Sequence, residues 1–245
     1  MRKEIPSYRN IAIIGASGAL GGAFLTQLAK RQGTERIYAF SRVEKMYDMP
    51  VVTAHVIDYE DEASIKRAAS TASKNAPLDL VLVTTGMLHD GALMPEKSLR
   101  DLSADKFQRV FMANTVVPAL AAKHFLPELR KDKRAVFAAL SARIGSISDN
   151  QLGGWYAYRA SKAALNMVIR NAAIETGRRC NEAIIVGLHP GTVDSHLSRP
   201  FQGNVAEGRL FTPEFSVKKL LSVIDQLSPA NSGKCFAWDG QEIEP

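Results

Sequence analysis

Residues 10–22, NIAIIGASGALGG, decide the fold of this chain. The apolar run 10–14 leads directly into a turn that contains Gly15, Gly18, Gly21 and Gly22, and helical spacing begins at Leu20. Glycine is needed where a chain turns sharply and where the backbone must approach a phosphate without a Cβ in the way. The following helix then offers free N–H groups to that phosphate. This order of strand, glycine turn and helix predicts a dinucleotide site, the alternative being a tight structural turn.

Strands and helices alternate along the rest of the sequence. Short runs rich in Val, Ile and Ala, without period-two alternation, predict buried strands of a parallel sheet that is covered on both faces. The predicted strands are 10–14, 36–40, 51–57, 80–84, 135–140, 183–188 and 234–238, and the predicted helices are 20–31, 61–73, 103–129, 155–178 and 213–227. We therefore predict an α/β fold: one domain, residues 1–245, with a Rossmann-type doubly wound parallel sheet of about seven strands and helices on both faces.

Local signals refine the predicted helices and one loop. Helix starts are expected at Ser103 and at Thr212, the latter followed by a proline at the first helical position. Pro118 lies inside the long helix 103–129 and predicts a kink there. Residues 192–211 lack a regular pattern, and a loop of that length is usually functional or disordered, so we expect a substrate lid.

Composition limits the classes of partner. The chain of 245 residues has a formal charge of +6, but its densest basic run, RKDKR at residues 130–134, is interrupted by an acid. We interpret that run as a solvated turn between helix and strand, and we expect no nucleic-acid partner. Two cysteines and five scattered histidines lack metal-ligand spacing, so no metal is expected. The polar start, MRKEIPSYRN, and the lack of a long apolar run predict a cytoplasmic protein without a membrane partner.

The end of the second predicted strand bears on the choice of cofactor. The sequence there is Phe40-Ser41-Arg42, and no acid appears before Glu44. NAD-binding sites usually carry an acid at this point to bind the ribose 2′-hydroxyl, whereas an arginine suits a 2′-phosphate. NADP(H) is therefore favoured over NAD(H). Asp58, after the third predicted strand, is either a turn residue or a contact to the adenine.

The segment YRASK, residues 158–162, places a tyrosine four residues before a lysine on the predicted helix 155–178. Positions i and i+4 of a helix share a face, so the phenol of Tyr158 and the ammonium of Lys162 are expected to be neighbours. An ammonium favours the phenolate, which predicts a pKa for Tyr158 below the ordinary value of about 10. Tyr158 is therefore a candidate general acid or base, although this spacing also arises by chance.

Together these motifs resemble the short-chain dehydrogenase/reductase family over essentially the whole chain. Residues 14–21 match the outer glycines of the family motif TGxxxGxG, with Ala19 at the middle glycine, and VTTG at 83–86 keeps only the glycine of the family's NNAG. The segment HPGTVDS, residues 189–195, is similar to the family's PGxVxT loop. GSI at 145–147 and GGWYAYRASKAALN at 153–166 resemble the subgroup that includes the C-factor cell-signalling proteins and related carbonyl reductases.

The resemblance implies a set of site residues. Tyr158 and Lys162 match the catalytic pair, with Lys162 also holding the nicotinamide ribose, and Asn114 matches the asparagine that orders a water in the proton relay. The loop 189–195 would contact the nicotinamide amide. The expected cofactor-binding residues are Gly15, Ser17, Gly18, Ala19, Leu20, Gly21, Ser41, Arg42, Asp58, Tyr59, Thr85, Gly86, Tyr158, Lys162, Pro190, Gly191, Val193 and Ser195.

One departure from the family concerns its catalytic serine, which is the second serine of an Ile-Ser-Ser. The matching segment here is Leu140-Ser141-Ala142, so an ungapped reading puts an alanine at that position. Ser141 would take the role if a strand bulge displaced it by one residue, and Ser146 would take it from the following loop. We favour Ser141 as the fourth catalytic residue.

The sequence thus predicts an NADP(H)-dependent oxidoreductase that transfers hydride between the nicotinamide and a small-molecule carbonyl or secondary alcohol. Tyr158 would be the general acid or base, assisted by Lys162 and Asn114. The alternative is a regulatory or signalling protein that senses NADP(H) without turnover. It is motivated by the departures from the family motifs at Ala19, Val83, Thr84 and Ala142. The family resemblance further implies a homodimer or homotetramer built on helices 103–129 and 155–178.

Overall fold

The computed structural model describes residues 6–245, so residues 1–5 of the polar amino-terminal segment lie outside the described part. The strands are β1 Asn10–Ile14, β2 Arg36–Ser41, β3 Val52–Val56, β4 Leu80–Val83, β5 Ala135–Leu140, β6 Ala183–His189, β7 Thr192–Val193, β8 Leu210–Phe211 and β9 Cys235–Ala237. The α-helices are α1 Ala19–Ala29, α2 Glu62–Ser73, α3 Ala104–Phe111, α4 Val117–Phe125, α5 Tyr156–Gly177 and α6 Pro213–Gln226.

The main sheet has seven parallel strands in the order β3-β2-β1-β4-β5-β6-β9. The chain runs from β1 outward to β3 and then returns to place β4 on the other side of β1. Ligands of such sheets bind at the carboxyl ends of the strands where the order reverses, which is here between β1 and β4. The predicted doubly wound sheet of about seven strands is confirmed.

The core lies on both faces of this sheet because successive side chains of each strand point to opposite sides. Ile11 and Ile13 of β1 pack in one buried cluster with residues of α1 and α6. Ala12 and Ile14 of the same strand pack in a second cluster with residues of α2, α4 and α5. Burial on both faces explains why the strand sequences are apolar runs rather than alternating patterns.

Strand β3 differs from the sequence prediction. The run 51–57 was expected to be a buried strand, but the residues of β3 are half-buried or exposed. The cause is its place at the end of the sheet order, with a hydrogen-bonded neighbour, β2, on one side. The apolar composition of the run does not distinguish such a strand from a central one.

The predicted helix 103–129 is interrupted. Between α3 and α4, residues Met112–Val116 form a π-helical turn, and the backbone N–H of Val117 donates to the carbonyl of Met112. Pro118 lies just after this turn, in the first turn of α4, and Leu126–Glu128 continue as a 3₁₀ turn. Single π turns inside helices occur often at functional sites. The turn contains Asn114, one of the expected site residues.

The two predicted helix starts are confirmed. The Ser103 hydroxyl accepts a hydrogen bond from the N–H of Lys106 at the start of α3. The Thr212 hydroxyl accepts one from the N–H of Phe215 at the start of α6, where Pro213 is the first helical residue. Each side chain satisfies a backbone donor that has no partner within its helix.

Two arginines of the run 130–134 are part of the folded structure rather than of a solvated turn, so that interpretation was wrong for them. Arg130 Nε donates to Asp79 Oδ1 at 2.6 Å, and Arg134 donates to the hydroxyl of the buried Tyr8 at 2.7 Å. Asp79 Oδ2 also accepts from the backbone N–H groups of Arg9 and Asn10, both at 2.9 Å. Asp79 therefore joins the amino ends of β1, β4 and β5.

Within residues 6–245, no helix is both long enough and apolar enough to cross a lipid bilayer. The same residues hold no group of three or more His, Cys, Asp or Glu side chains placed to share a metal ion.

Asp79 gives a test of this fold. Asp79→Ala should lower the free energy of unfolding by about 3 kcal/mol, because it leaves Arg130 and two backbone N–H groups without their acceptor. Urea unfolding followed by circular dichroism measures this loss. Asp132→Ala is the matched control, since Asp132 is an exposed partner of the same Arg130 at 3.6 Å and its removal should change stability little. Equal losses in the two variants would contradict the assigned role of Asp79.

Candidate active site

The expected site residues gather at the carboxyl ends of β1, β4 and β5. Gly15 follows β1 and lies beside Thr84, which follows β4. A Cβ placed at Gly86 would lie 3.5 Å from Asn114 Oδ1 and 3.9 Å from Lys162 Nζ. The glycine turn, the end of β4 and the first two turns of α5 therefore form one continuous surface.

The turn after β1 has no room for side chains at two glycines. Gly15 has φ +92°, and a Cβ there would lie 2.7 Å from Thr84 Oγ1. A Cβ at Gly21 would collide with the carbonyl oxygen of Gly15. The backbone N–H groups of Gly15 and Ala16 both donate to the carbonyl of Phe40 at the end of β2. These contacts hold the turn close to the sheet and bring the start of α1 over β1.

The first turn of α1 presents free donors. Gly18 stands at its N-cap position without a side-chain cap, and the first turn contains no acidic residue. Ser17, Gly18 and Ala19 are exposed, and Leu20 is half-buried. An uncapped helix start with its positive dipole end is suited to a phosphate group. The residues present therefore fit the pyrophosphate of a dinucleotide.

Groups suited to the remainder of a dinucleotide lie beside this turn. Arg42 is exposed and has no ion-pair partner within residues 6–245, while the Ser41 hydroxyl donates to the carbonyl of Val43. Burial raises the pKa of Tyr59 to about 12, against the opposing effects of the Arg42 charge and a hydrogen bond with the backbone of Gly15. Tyr59 therefore lies near both the glycine turn and the charge of Arg42.

Further contacts concern Asp58 and Thr85. The Asp58 carboxylate accepts the N–H of Glu60 at 2.9 Å, so Asp58 has the structure of a turn residue. The Thr85 hydroxyl is buried and has no hydrogen-bond partner in the described part of the chain. An unpartnered buried hydroxyl is costly unless a ligand supplies its partner.

Tyr158 and Lys162 lie one turn apart on α5. Lys162 is 3% exposed, and its Nζ lies 5.9 Å from the centre of the Tyr158 ring and donates to the carbonyl of Leu140 at 2.7 Å. Burial raises the pKa of Tyr158 to about 12 and lowers the pKa of Lys162 to about 8. The predicted lowering of the tyrosine pKa was therefore wrong, because desolvation by burial raises it.

Asn114 is fully buried and connects two segments of the site. Its Oδ1 accepts the N–H of Met87, and its Nδ2 donates to the carbonyl of Met87 at 2.8 Å and to Ser161 Oγ at 3.1 Å. The Ser161 hydroxyl in turn donates to the carbonyl of Tyr158. Asn114 therefore ties the loop after β4 to the turn of α5 that carries Tyr158.

The two candidate serines are hydrogen-bonded to other groups. The Ser141 hydroxyl donates to Asn166 Oδ1 at 2.6 Å, one turn beyond Lys162 on α5. The Ser146 hydroxyl lies 3.3 Å from that of Ser148 and accepts the N–H of Asp149. In the described structure neither serine is hydrogen-bonded to Tyr158, and Ala142 occupies the position between Ser141 and the next turn.

Close packing and hydrogen bonds hold the loop after β6 in place. Gly191 has φ +76°, and a Cβ there would lie 2.6 Å from the ring of Phe211. The Ser216 hydroxyl donates to the carbonyl of Pro190, and Val193 is buried in β7, which pairs with β8. Ser195 donates its N–H to the Ser198 hydroxyl. The segment 192–211, expected to be irregular, thus contains the short β7–β8 pair and a 3₁₀ turn from residue 199 to 204.

An aromatic cluster contacts the ring of Tyr158 through Trp155. The ring of Trp155 contacts that of Tyr158 edge-on at 6.3 Å, and Phe201 from the 3₁₀ turn packs on Trp155 at 4.9 Å. His89 contacts Phe201 and stacks on His196. Trp155 thus contacts Tyr158 directly, and Phe201, His89 and His196 extend the aromatic cluster away from it. No sequence motif marks Phe201 or His89 as a site residue.

Tyr47 is a further candidate that sequence reasoning missed. Its hydroxyl is buried without a partner in the described residues, and the Lys45 ammonium lies 5.5 Å from its ring centre. No motif marks it; the nearest signal was its position soon after the second strand.

Comparisons with known proteins agree with this geometry. The family model for short chain dehydrogenases matches residues 9–205. The chain is 33% identical to the C-signal of Myxococcus xanthus over 177 residues, 72% of this chain and 98% of that protein. It is 31% identical to the 1-hydroxy-2-glutathionyl-2-methyl-3-butene dehydrogenase of Rhodococcus sp. (strain AD45) over 189 residues, 77% of this chain and 78% of that enzyme.

Solved structures share the fold at lower identity. The NADPH-bound carbonyl reductase from chicken fatty liver superposes with a TM-score of 0.83 at 23% identity, covering 99% of this chain and 97% of that one. The carbonyl reductase Sniffer of D. melanogaster superposes with a TM-score of 0.84 at 21% identity, covering 97% and 99%. The family model spans most of the chain, and two relatives exceed 30% identity over more than two thirds of it. The protein therefore belongs to the short-chain dehydrogenase family of oxidoreductases.

Proposed function

We propose that residues 6–245 form one NAD(P)-binding domain that reduces a small-molecule carbonyl compound with NADPH, with Tyr158 as the proton donor. The observation that carries this proposal is the half-buried phenol of Tyr158 beside the Lys162 ammonium, on the same surface as the glycine turn; burial raises the pKa of this phenol to about 12. A proton donor beside a dinucleotide cradle is what hydride transfer to a carbonyl requires.

The cofactor would be held along the carboxyl ends of the strands. Its pyrophosphate would meet the first turn of α1, Arg42 and Ser41 would meet the 2′-phosphate, and Asp58 and Tyr59 would flank the adenine. Thr85, Gly86 and Lys162 would hold the nicotinamide ribose, and residues 190–195 the nicotinamide amide. Bound NADPH supplies the hydride that the carbonyl carbon accepts. The NADPH-bound avian carbonyl reductase, which shares the fold, is consistent with this assignment.

The proton chemistry follows from the environment of Tyr158. Because burial keeps the phenol protonated far above neutral pH, its O–H is available for donation to the oxygen of the substrate. The tyrosinate that remains is stabilised by the positive charge of Lys162 until a proton is resupplied. Through its hydrogen bonds to Met87 and Ser161, Asn114 holds the loop after β4 and the turn of α5 that carries Tyr158 in fixed relative positions. The hydroxyls of Ser141 and Ser146 are hydrogen-bonded to other groups. We therefore assign the hydrogen bond to the substrate oxygen to Tyr158 and not to either serine.

The test of the proton donor is Tyr158→Phe. This variant should fold and bind NADPH, because it loses a single hydroxyl, but carbonyl reduction should fall by at least about 10²-fold. The measurement is oxidation of NADPH with a panel of aldehydes and ketones. Ser141→Ala is a matched control that also removes one hydroxyl, and it should keep most of the activity because that hydroxyl bonds to Asn166. Cofactor binding without turnover in the unaltered protein would instead support an NADP(H)-sensing role.

The choice of cofactor depends on Arg42. Arg42→Ala should weaken NADPH binding by about 1–3 kcal/mol, the scale of a lost charge-assisted contact, and leave NADH binding nearly unchanged. Fluorescence titration of both cofactors measures the two dissociation constants. Equal losses for NADPH and NADH would contradict the contact to the 2′-phosphate.

The pH dependence of reduction should report Lys162. Its ammonium loses its proton as the pH rises through about 8, so kcat at saturating NADPH should be constant below that pH and fall above it. Lys162→Arg keeps a positive charge at these pH values and should lose this alkaline limb, whatever its absolute rate. An unchanged limb in that variant would assign the titration to another group.

A further inference from the structure

Glu96 is a buried acid that the proposed reaction leaves without a role. It is 2% exposed and belongs to the segment before α3. Its carboxylate Oε2 accepts the backbone N–H of Ala157 at 3.2 Å, and its backbone carbonyl accepts the N–H of Trp155 at 2.6 Å. Both donors lie at the start of α5, immediately before Tyr158.

Helix α5 has no cap of its own. Trp155 stands at its N-cap position and makes no side-chain cap bond, and the first turn contains no acidic residue. Ala157 is the second helical residue, whose N–H is usually taken by a capping serine or aspartate. Glu96 takes that N–H from outside the helix, and its negative charge suits the positive end of the dipole of a 22-residue helix.

The backbone at this start is in an unusual conformation. Trp155 has φ 51°, and it is the single non-glycine residue with positive φ within residues 6–245; Gly153 and Gly154 before it have φ 63° and 64°. A non-glycine residue in this region is strained and persists only where its surroundings hold it. Glu96 accepts one hydrogen bond from the strained residue itself, through its backbone carbonyl, and one from Ala157 two residues later, through its carboxylate.

The conformation of Trp155 decides what covers Tyr158. Its indole lies 6.3 Å from the Tyr158 ring and 4.9 Å from the ring of Phe201 in the 3₁₀ turn, measured between ring centres. A relaxed backbone at residue 155 would move this indole away from the phenol and admit water. Proton transfer to a bound carbonyl requires a donor whose position is held within a fraction of an ångström.

We propose that Glu96 is a positioning residue for Tyr158: its carboxylate caps α5 from outside through the N–H of Ala157, supports the bond between its own backbone carbonyl and Trp155, and so keeps Trp155 in the left-handed conformation and the indole against the Tyr158 ring. This inference rests on the proposed carbonyl reduction. Glu96 touches neither substrate nor cofactor in this assignment, and it acts through the first turn of α5.

The test compares Glu96→Ala with Glu96→Gln. Alanine removes the carboxylate that accepts the N–H of Ala157 and leaves the backbone carbonyl in place. We expect kcat to fall roughly 10-fold or more, while the dissociation constant for NADPH stays within about two-fold. Glutamine keeps an oxygen that accepts the N–H of Ala157, so it should restore most of kcat. A role confined to stability would lower the melting temperature without this split between kcat and cofactor binding. If Glu96→Ala does not fold, Glu96→Asp replaces it, because its shorter side chain keeps the charge but loses reach.

Asp61→Ala is the matched control. Asp61 accepts the N–H of Ala63, the second residue of α2, at 2.9 Å, so it is an acid that caps a helix away from Tyr158. It should lower the melting temperature and leave kcat unchanged. Full kcat in folded Glu96→Ala, or no recovery in Glu96→Gln, overturns the inference.

A second measurement does not depend on turnover. In a Trp238→Phe background the fluorescence reports Trp155 alone, since the chain has two tryptophans. Acrylamide should quench that emission more strongly in Glu96→Ala than in Glu96→Gln or in the parent. A protein that reduces no carbonyl but shows this quenching refutes the proposed function and keeps the positioning role; equal quenching in all three refutes the positioning role.

Discussion

The buried hydrogen bond from the Lys162 ammonium to the carbonyl of Leu140 fixes helix α5 on the end of β5, and the arrangement of the site depends on it. A charged amine taken out of water needs such a partner, because an unpaired one is costly. The contact is possible because a Cβ at Gly145 would lie 2.8 Å from the backbone of Lys162, so only glycine lets the helix come this close. Tyr158, one turn earlier on α5, is placed at the carboxyl ends of the strands as a result.

A second close approach of a helix to the sheet occurs on the other side of β4, at the glycine turn. Gly15 and Gly21 bring the uncapped start of α1 against Thr84, at the carboxyl ends of β1 and β4, where the strand order reverses. Both approaches use the absence of a side chain. The fold thus brings the start of α1 and the first two turns of α5, which carry Tyr158 and Lys162, to the carboxyl ends of β1, β4 and β5.

The sequence predicted those features that depend on local pattern. Apolar runs predicted the seven strands of the main sheet, and cap chemistry predicted the helix starts at Ser103 and Thr212. Helical spacing predicted that Tyr158 and Lys162 are neighbours. What it predicted wrongly depends on tertiary surroundings. The exposure of β3 follows from its place in the sheet order, and the direction of the Tyr158 pKa shift follows from burial, which no spacing reveals. The partner of Ser141, a residue 25 positions later, was equally invisible in the sequence.

The departures from the family motifs differ in their structural consequences. Ala19 is exposed at the first position of α1, so its methyl group does not crowd the turn as one at Gly21 would. Thr84 replaces a family asparagine and still donates a hydrogen bond, from its hydroxyl to the carbonyl of Ile14, which holds the end of β4 against β1. Ala142 alone removes a donor without a visible replacement, because the neighbouring serine hydroxyls are bonded elsewhere. In the proposed reaction the substrate oxygen would have one donor, so the reaction would depend more strongly on that donor remaining protonated; burial raises the pKa of Tyr158 to about 12, and Trp155 packs edge-on against its ring.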